Sequence, residues 1–218
     1  TGAEHLVQRL LYSGAQLLLN LGGVGRDQAI GETQQQRIAA KLHAFRKFAF
    51  GNEPLRQLQT GLCSRSNTLG VRAGDRVVAW LPNGPALVRA WFSINYLGAI
   101  FVPLNTAYRG ASLEHTINAC RAKLVLAHPA LVERLQGLSL QHVERVITVG
   151  PEALEGDARN LDDSAQPQPW DAQSIIYTSG TTGLSKGVLS PYLQLYTTAT
   201  VVYGYLREGE GILVNLPM

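Results

Sequence analysis

Between Tyr177 and Gly187 the chain reads YTSGTTGLSKG: three glycines, four serine or threonine hydroxyls before Gly183, and one lysine. Glycine adopts backbone angles closed to other residues and lets a ligand approach the main chain closely. The hydroxyls of Thr178, Ser179, Thr181 and Thr182 can each donate to a phosphate oxygen, as can the N–H groups of a looped backbone. Lys186 adds a positive charge. Together these groups suit a polyanion, and a phosphate-cradling loop is the chemistry they suggest. A plain surface turn is the competing reading, because Gly/Ser/Thr clusters commonly mark turns. A Walker A loop is excluded: it requires Gly-Lys-Ser or Gly-Lys-Thr, whereas Lys186 lies between Ser185 and Gly187.

Such a loop needs rigid elements on both sides to aim it. An apolar strand over residues 174–178 leads in, and a helix is expected from near Leu189 to about Leu206, its N-terminus adding partial positive charge. GILVNLP reads as a final strand. Upstream, RVVAWL (76–81) is a short apolar run suited to a buried parallel strand. Asn83-Gly84-Pro85 marks a turn and a helix start, with Leu87, Trp91 and Ile94 on one face of the helix and its end near Gly98. FVPLN is the next strand, SLEHTINACR a helix opened by Ser112, KLVLA a strand, PALVERLQGL a helix and VERVITVG a strand. This alternation predicts an α/β fold with a mainly parallel sheet and flanking helices.

Two segments depart from the pattern. Residues 150–170 are acidic, proline-containing and aperiodic, and read as a long loop or linker. Asp162 and Asp163 within it read as a solvated loop tip, not a metal pair. Residues 1–54 read as a helical N-terminal segment, two helices separated by GGVGRD, whose role is not legible.

Composition narrows the classes. With 218 residues, 45% hydrophobic and 16% charged, the chain has an ordinary globular make-up, long enough for one large domain or two small ones. A net charge of +3, spread along the chain, gives no nucleic-acid signature. The basic run KLHAFRKF reads as the solvated face of an amphipathic helix and leaves peripheral membrane contact open. Cys63 and Cys120 lack metal or redox spacing and read as free thiols of a reducing, cytoplasmic setting. The five histidines are scattered, so no metal ligands are assigned. No apolar run has the length of a membrane span, and no secretory signal pattern is present.

The stretch 177–187 resembles the signature loop of the adenylate-forming (AMP-binding) superfamily: acyl- and aryl-CoA synthetases, adenylation domains of peptide synthetases and firefly-type luciferases. That signature, Tyr/Phe-Thr-Ser-Gly-Ser/Thr-Thr-Gly-x-Pro-Lys-Gly, is matched at every specified position except Ser185, where the family usually has proline. DAQSIIYTSG, with Asp171 leading in, GDRV at 74–77 and VPLN at 102–105 extend the likeness. It spans roughly residues 55–218 and is strongest from Val71 to Ala127 and from Asp171 to Lys186.

The resemblance implies that residues 55–218 form part of an AMP-binding (adenylation) domain. In that family a carboxylic acid attacks the α-phosphate of ATP with Mg2+, giving an acyl-adenylate and pyrophosphate; coenzyme A then takes the acyl group. Thr178, Ser179, Gly180, Thr181, Thr182 and Gly183 would line the phosphates, and Lys186 would be the catalytic counter-charge. The middle segment is most similar to fatty-acyl and carnitine/crotonobetaine-type CoA ligases.

Two departures bear on the site. Pro191 and Tyr192 stand where the family often has a histidine. Proline in place of Ser185 would pre-organise the loop, provided no hydrogen bond were lost. Family enzymes are also much longer, which implies an N-terminal fragment, inactive alone, without the adenine-, ribose- and magnesium-binding segments or the C-terminal lysine. The alternatives are a complete, non-catalytic nucleotide-binding module, or an adenylation domain with an acceptor other than coenzyme A.

Overall fold

The computed structural model describes residues 70–150, 167–178 and 184–198. Six strands form one sheet: β1 (Arg76–Trp80), β2 (Ile100–Pro103), β3 (Leu124–Ala127), β4 (Arg145–Thr148), β5 (Ala172–Thr178) and β6 (Lys186–Pro191). Their spatial order is β4-β3-β1-β2-β5-β6. Every pairing is parallel except the antiparallel β5–β6 hairpin. The α/β reading and the five expected parallel strands agree with this arrangement.

Among the described residues, two helices pack on opposite faces of β1–β3. Helix α1 (Pro85–Tyr96) connects β1 to β2, and α2 (Gly110–Ala119) connects β2 to β3 on the other side of β1. Right-handed crossovers running in opposite directions along a sheet place their helices on opposite faces. The strands read accordingly, with alternate residues serving two cores. Val77, Ala79, Phe101, Leu124 and Leu126 pack with Leu87, Ala90 and Ile94 of α1. Val78, Trp80, Val102, Val125 and Ala127 pack with Leu113 and Ile117 of α2. Both faces being buried explains why these strands are continuously apolar.

Helix α1 begins at Pro85, whose missing N–H would be unpaired in the first turn anyway. It closes through Gly98, which takes a left-handed φ of 69° while its N–H bonds the Asn95 carbonyl. Trp91 is only partly buried and stacks on Phe101 with ring centroids 5.6 Å apart.

Three local expectations are corrected. Helix α2 starts at Gly110, not Ser112, and Ser112 instead accepts a bond from Thr116 Oγ1 within the helix. PALVERLQGL forms only a single 3-10 turn, Val132–Leu135, ended before Gly137, which takes a left-handed φ of 77°. The third correction bears on the site: the segment after the glycine loop is a strand, not the start of a helix. Gly187, Ser190 and Pro191 are poor interior helix residues, and pairing with β5 satisfies the backbone of Lys186–Ser190 instead. A helix, α3 (Tyr192–Thr197), follows Pro191. The glycine loop is therefore a hairpin loop, and no helix N-terminus follows it directly. The expected N-terminal helices, residues 151–166 of the expected linker, residues 179–183, and the strand GILVNLP lie outside the described residues.

The hairpin is joined to the parallel sheet chiefly through β5. Between β2 and β5 the ladder is a single bridge, Phe101 to Ser174. A buried amide pair supplements it. Gln173 Nε2 donates to Asn95 Oδ1 (2.6 Å), and Asn95 Nδ2 donates to the Gln173 and Ala99 carbonyls (2.9 and 3.2 Å). Tyr192 Oη adds a bond to the Asn95 carbonyl, 3.2 Å. Each of these buried polar groups, left unpaired, would cost about 1–3 kcal/mol. Asn95→Ala is therefore expected to destabilise the fold by at least about 1–3 kcal/mol. Combined with Gln173→Ala, the loss should be smaller than the sum of the two single losses, as measured by urea unfolding.

Candidate phosphate-binding site

Strand β5 delivers the glycine loop at its carboxyl end, where open α/β sheets bind ligands. Thr178 is the last residue of β5 and pairs with Lys186, the first of β6, so the loop leaves and re-enters the sheet at one rung. Both side chains are exposed. The Thr178 hydroxyl makes only a long 3.5 Å contact with the Lys186 carbonyl, which leaves it able to serve a ligand. Among the described residues, no carboxylate forms an ion pair with Lys186. Of the residues assigned to phosphate binding, Thr178 and Lys186 are therefore brought together at the loop mouth. Ser179, Gly180, Thr181, Thr182 and Gly183 lie outside the described residues.

One member of the motif faces inward, and a second makes room for it. Tyr177 packs against the α2 core, and its hydroxyl donates to the Thr116 carbonyl of α2 at 3.0 Å. Burial, followed by the nearby Cys120 thiol, pushes the phenol well above its usual range, so Tyr177 stays a neutral donor. Opposite it on β6 stands Gly187, where a Cβ would lie 2.9 Å from Ile175 Cγ2 and 3.3 Å from Tyr177 Cζ. The ring of Tyr177 occupies the space that a side chain at 187 would need. These two residues anchor the hairpin and do not reach toward a ligand.

Ser185, the departure from the family pattern, is engaged. Its Oγ lies 3.1 Å from Tyr108 Oη, on the loop between β2 and α2. Sequence reasoning missed Tyr108, Thr116, Asn95 and Gln173, because their partners lie tens of residues away and no local spacing marks them. Asp171, by contrast, stands at the amino end of β5, away from the glycine loop. Its carboxylate accepts the Gln168 N–H at 2.7 Å and its carbonyl the Tyr192 N–H at 3.1 Å, so it shapes a turn. A cavity of about 330 Å³ lined by Gly74, Gly98 and Asp171 lies at that same end of the sheet.

The AMP-binding enzyme model matches residues 56–218. The chain belongs to the AMP-binding enzyme family. It is 33% identical over 165 residues to a Mycobacterium tuberculosis 3-[(3aS,4S,7aS)-7a-methyl-1,5-dioxo-octahydro-1H-inden-4-yl]propanoyl:CoA ligase, covering 66% of this chain and 32% of that protein. It is 30% identical to 4-coumarate–CoA ligase 1 of Solanum tuberosum, covering 70% of this chain and 30% of the relative. Among solved structures, a Brucella canis acyl-CoA synthetase aligns with a TM-score of 0.53 at 27% identity, over 65% of this chain and 28% of that one. The chain thus spans about a third of the length of these relatives.

The hairpin anchor carries a pH dependence. Cys120, buried at the end of α2, has its thiol pushed up from 9.0 to about 11 by burial. The unfolded thiol loses its proton first as pH rises, so the contribution to stability is complete below pH 9 and is lost between about pH 9 and 11. Tyr177, raised likewise, extends the loss to higher pH. Urea unfolding at about pH 8 and about pH 11 should show a drop that Cys120→Ala reduces by about 2–3 kcal/mol.

Proposed function

We propose that this chain supplies the phosphate-binding wall of an ATP-dependent acid–thiol ligase, an AMP-forming acyl-CoA synthetase. The observation that carries the reading is the loop mouth, where Thr178 and an exposed Lys186 without a described carboxylate partner flank the signature loop of an AMP-binding family member. A carboxylate oxygen of the substrate attacks the α-phosphorus of ATP; the bond from that phosphorus to the bridging oxygen breaks, and pyrophosphate leaves. The sulfur of coenzyme A then attacks the acyl carbon, losing its proton, and AMP leaves. Negative charge grows on the departing pyrophosphate, so donors already aimed at its oxygens lower the barrier. Thr178, Ser179, Thr181 and Thr182 would donate through their hydroxyls, Gly180 and Gly183 would let the backbone approach, and Lys186 would neutralise charge. None of them acts as nucleophile or base.

The two curated relatives named above are ligases of coenzyme A, and their acids are a coumarate and a bicyclic propanoate. Fatty and carnitine/crotonobetaine-type acids, which the middle segment suggests, are the first to try. Mg2+ would accompany ATP as its counter-ion. Among the described residues no three His, Cys, Asp or Glu side chains converge on one point. Among the described residues, too, no helix is long and apolar enough to cross a membrane. A cytoplasmic setting accords with the free, buried Cys120.

Lys186→Ala in the parent enzyme is expected to slow ATP–pyrophosphate exchange by roughly ten- to a hundredfold, the equivalent of about 1.5–3 kcal/mol for one charge-assisted contact. An unchanged rate would remove Lys186 from the mechanism. The 218-residue chain by itself, given ATP, Mg2+, coenzyme A and a panel of fatty acids, is expected to form no thioester. Misplacement of reacting groups by about 1 Å can cost a hundredfold, and one wall does not hold all of them. Sustained turnover would show the site to be complete within these residues.

A further inference from the structure

The glycine loop re-enters the sheet at Ser185 and Lys186, and the usual stiffening element is missing there. Proline would fix one backbone angle at this point; serine leaves it free. Ser185 Oγ instead lies 3.1 Å from the hydroxyl of Tyr108, 77 residues away in sequence. Tyr108 is a fixed point. Its ring packs against the α2 core, and its N–H bonds the Asn105 carbonyl at 3.0 Å. The rest of that loop is fastened by two bonds from outside and one within it. Trp80 Nε1 donates to the Asn105 carbonyl (3.1 Å), an Arg134 guanidinium nitrogen donates to the Thr106 carbonyl (2.8 Å), and the Ala107 N–H donates to Asn105 Oδ1 (2.9 Å).

We propose that the Ser185–Tyr108 hydrogen bond is a positioning clasp that sets the exit of the glycine loop, and with it Lys186, for the nucleotide phosphates. It takes over the stiffening role of proline, tying the loop to the β2–α2 connection. Lys186 directly follows Ser185, so freedom at 185 passes to the backbone from which the ammonium extends. The inference rests on the phosphate-binding reading above. Neither hydroxyl touches the reacting atoms; both act through Lys186 and the loop backbone.

The test uses the parent enzyme and ATP–pyrophosphate exchange. One neutral hydrogen bond corresponds to about a three- to tenfold change. Ser185→Ala and Tyr108→Phe should each raise the KM for ATP by about that factor, leaving the KM for the acid unchanged. Tyr108→Phe should add nothing in a Ser185→Ala background, and Ser185→Thr, which keeps a hydroxyl, should retain the unmodified KM for ATP. Additive effects of the two substitutions, equal changes in the KM for ATP and for the acid, or no change at all would each overturn the clasp. Absence of ATP-dependent exchange in the unmodified enzyme would overturn the phosphate-binding reading, and the clasp with it.

Discussion

The buried amide pair of Asn95 and Gln173 is the joint on which the functional end of the sheet hangs. Strand β5 lies beside β2 with one regular bridge, Phe101 to Ser174, and the amide pair adds side-chain hydrogen bonds to that contact. An amide is well suited to this place. It both donates and accepts, and here it pairs with a second amide and with two main-chain carbonyls. Tyr192 closes the joint from beyond the hairpin by bonding the Asn95 carbonyl. Strand β5 is thereby fastened to the end of α1 as well as to β2.

Toward its other end the hairpin is fastened to the opposite face of the sheet. Tyr177 bonds α2 and lies over Gly187, while Ser185 meets Tyr108 on the loop that precedes α2. The hairpin is thus held to α1 at its base and to the α2 side near its tip. The inward residues, Tyr177 and Cys120, are kept neutral by burial. At the tip, the described charge facing outward is that of Lys186. An exposed cation that no described carboxylate pairs, above a support kept neutral at Tyr177 and Cys120, suits an anionic ligand.

The division of labour within the motif follows from the pleat of the strand. Successive residues of β5 point to opposite faces, so Tyr177 turns into the α2 core while its neighbour Thr178 is exposed. The glycine at 187 belongs to the fold, since it clears the ring of Tyr177 across the hairpin. A short stretch of chain therefore combines anchoring groups with groups available to a ligand.

Much of this was legible in the sequence. The apolar runs and intervening turns of residues 76–149 determined a parallel α/β sheet, because strands buried on both faces must be apolar throughout. The residue types of 177–187 suggested phosphate chemistry, and their match to the AMP-binding signature set the stretch apart from a plain Gly/Ser/Thr turn. Local pattern could not decide the state of Lys186–Pro191. A short segment with glycine, serine and proline has weak intrinsic preference, and it became a strand because β5 offered a partner for its backbone. Nor could it decide that Ser185 meets Tyr108 or that Asn95 meets Gln173. Those contacts join residues 77 and 78 positions apart, and only the packing of α1, α2 and the β2–α2 loop around the sheet brings them within hydrogen-bonding distance.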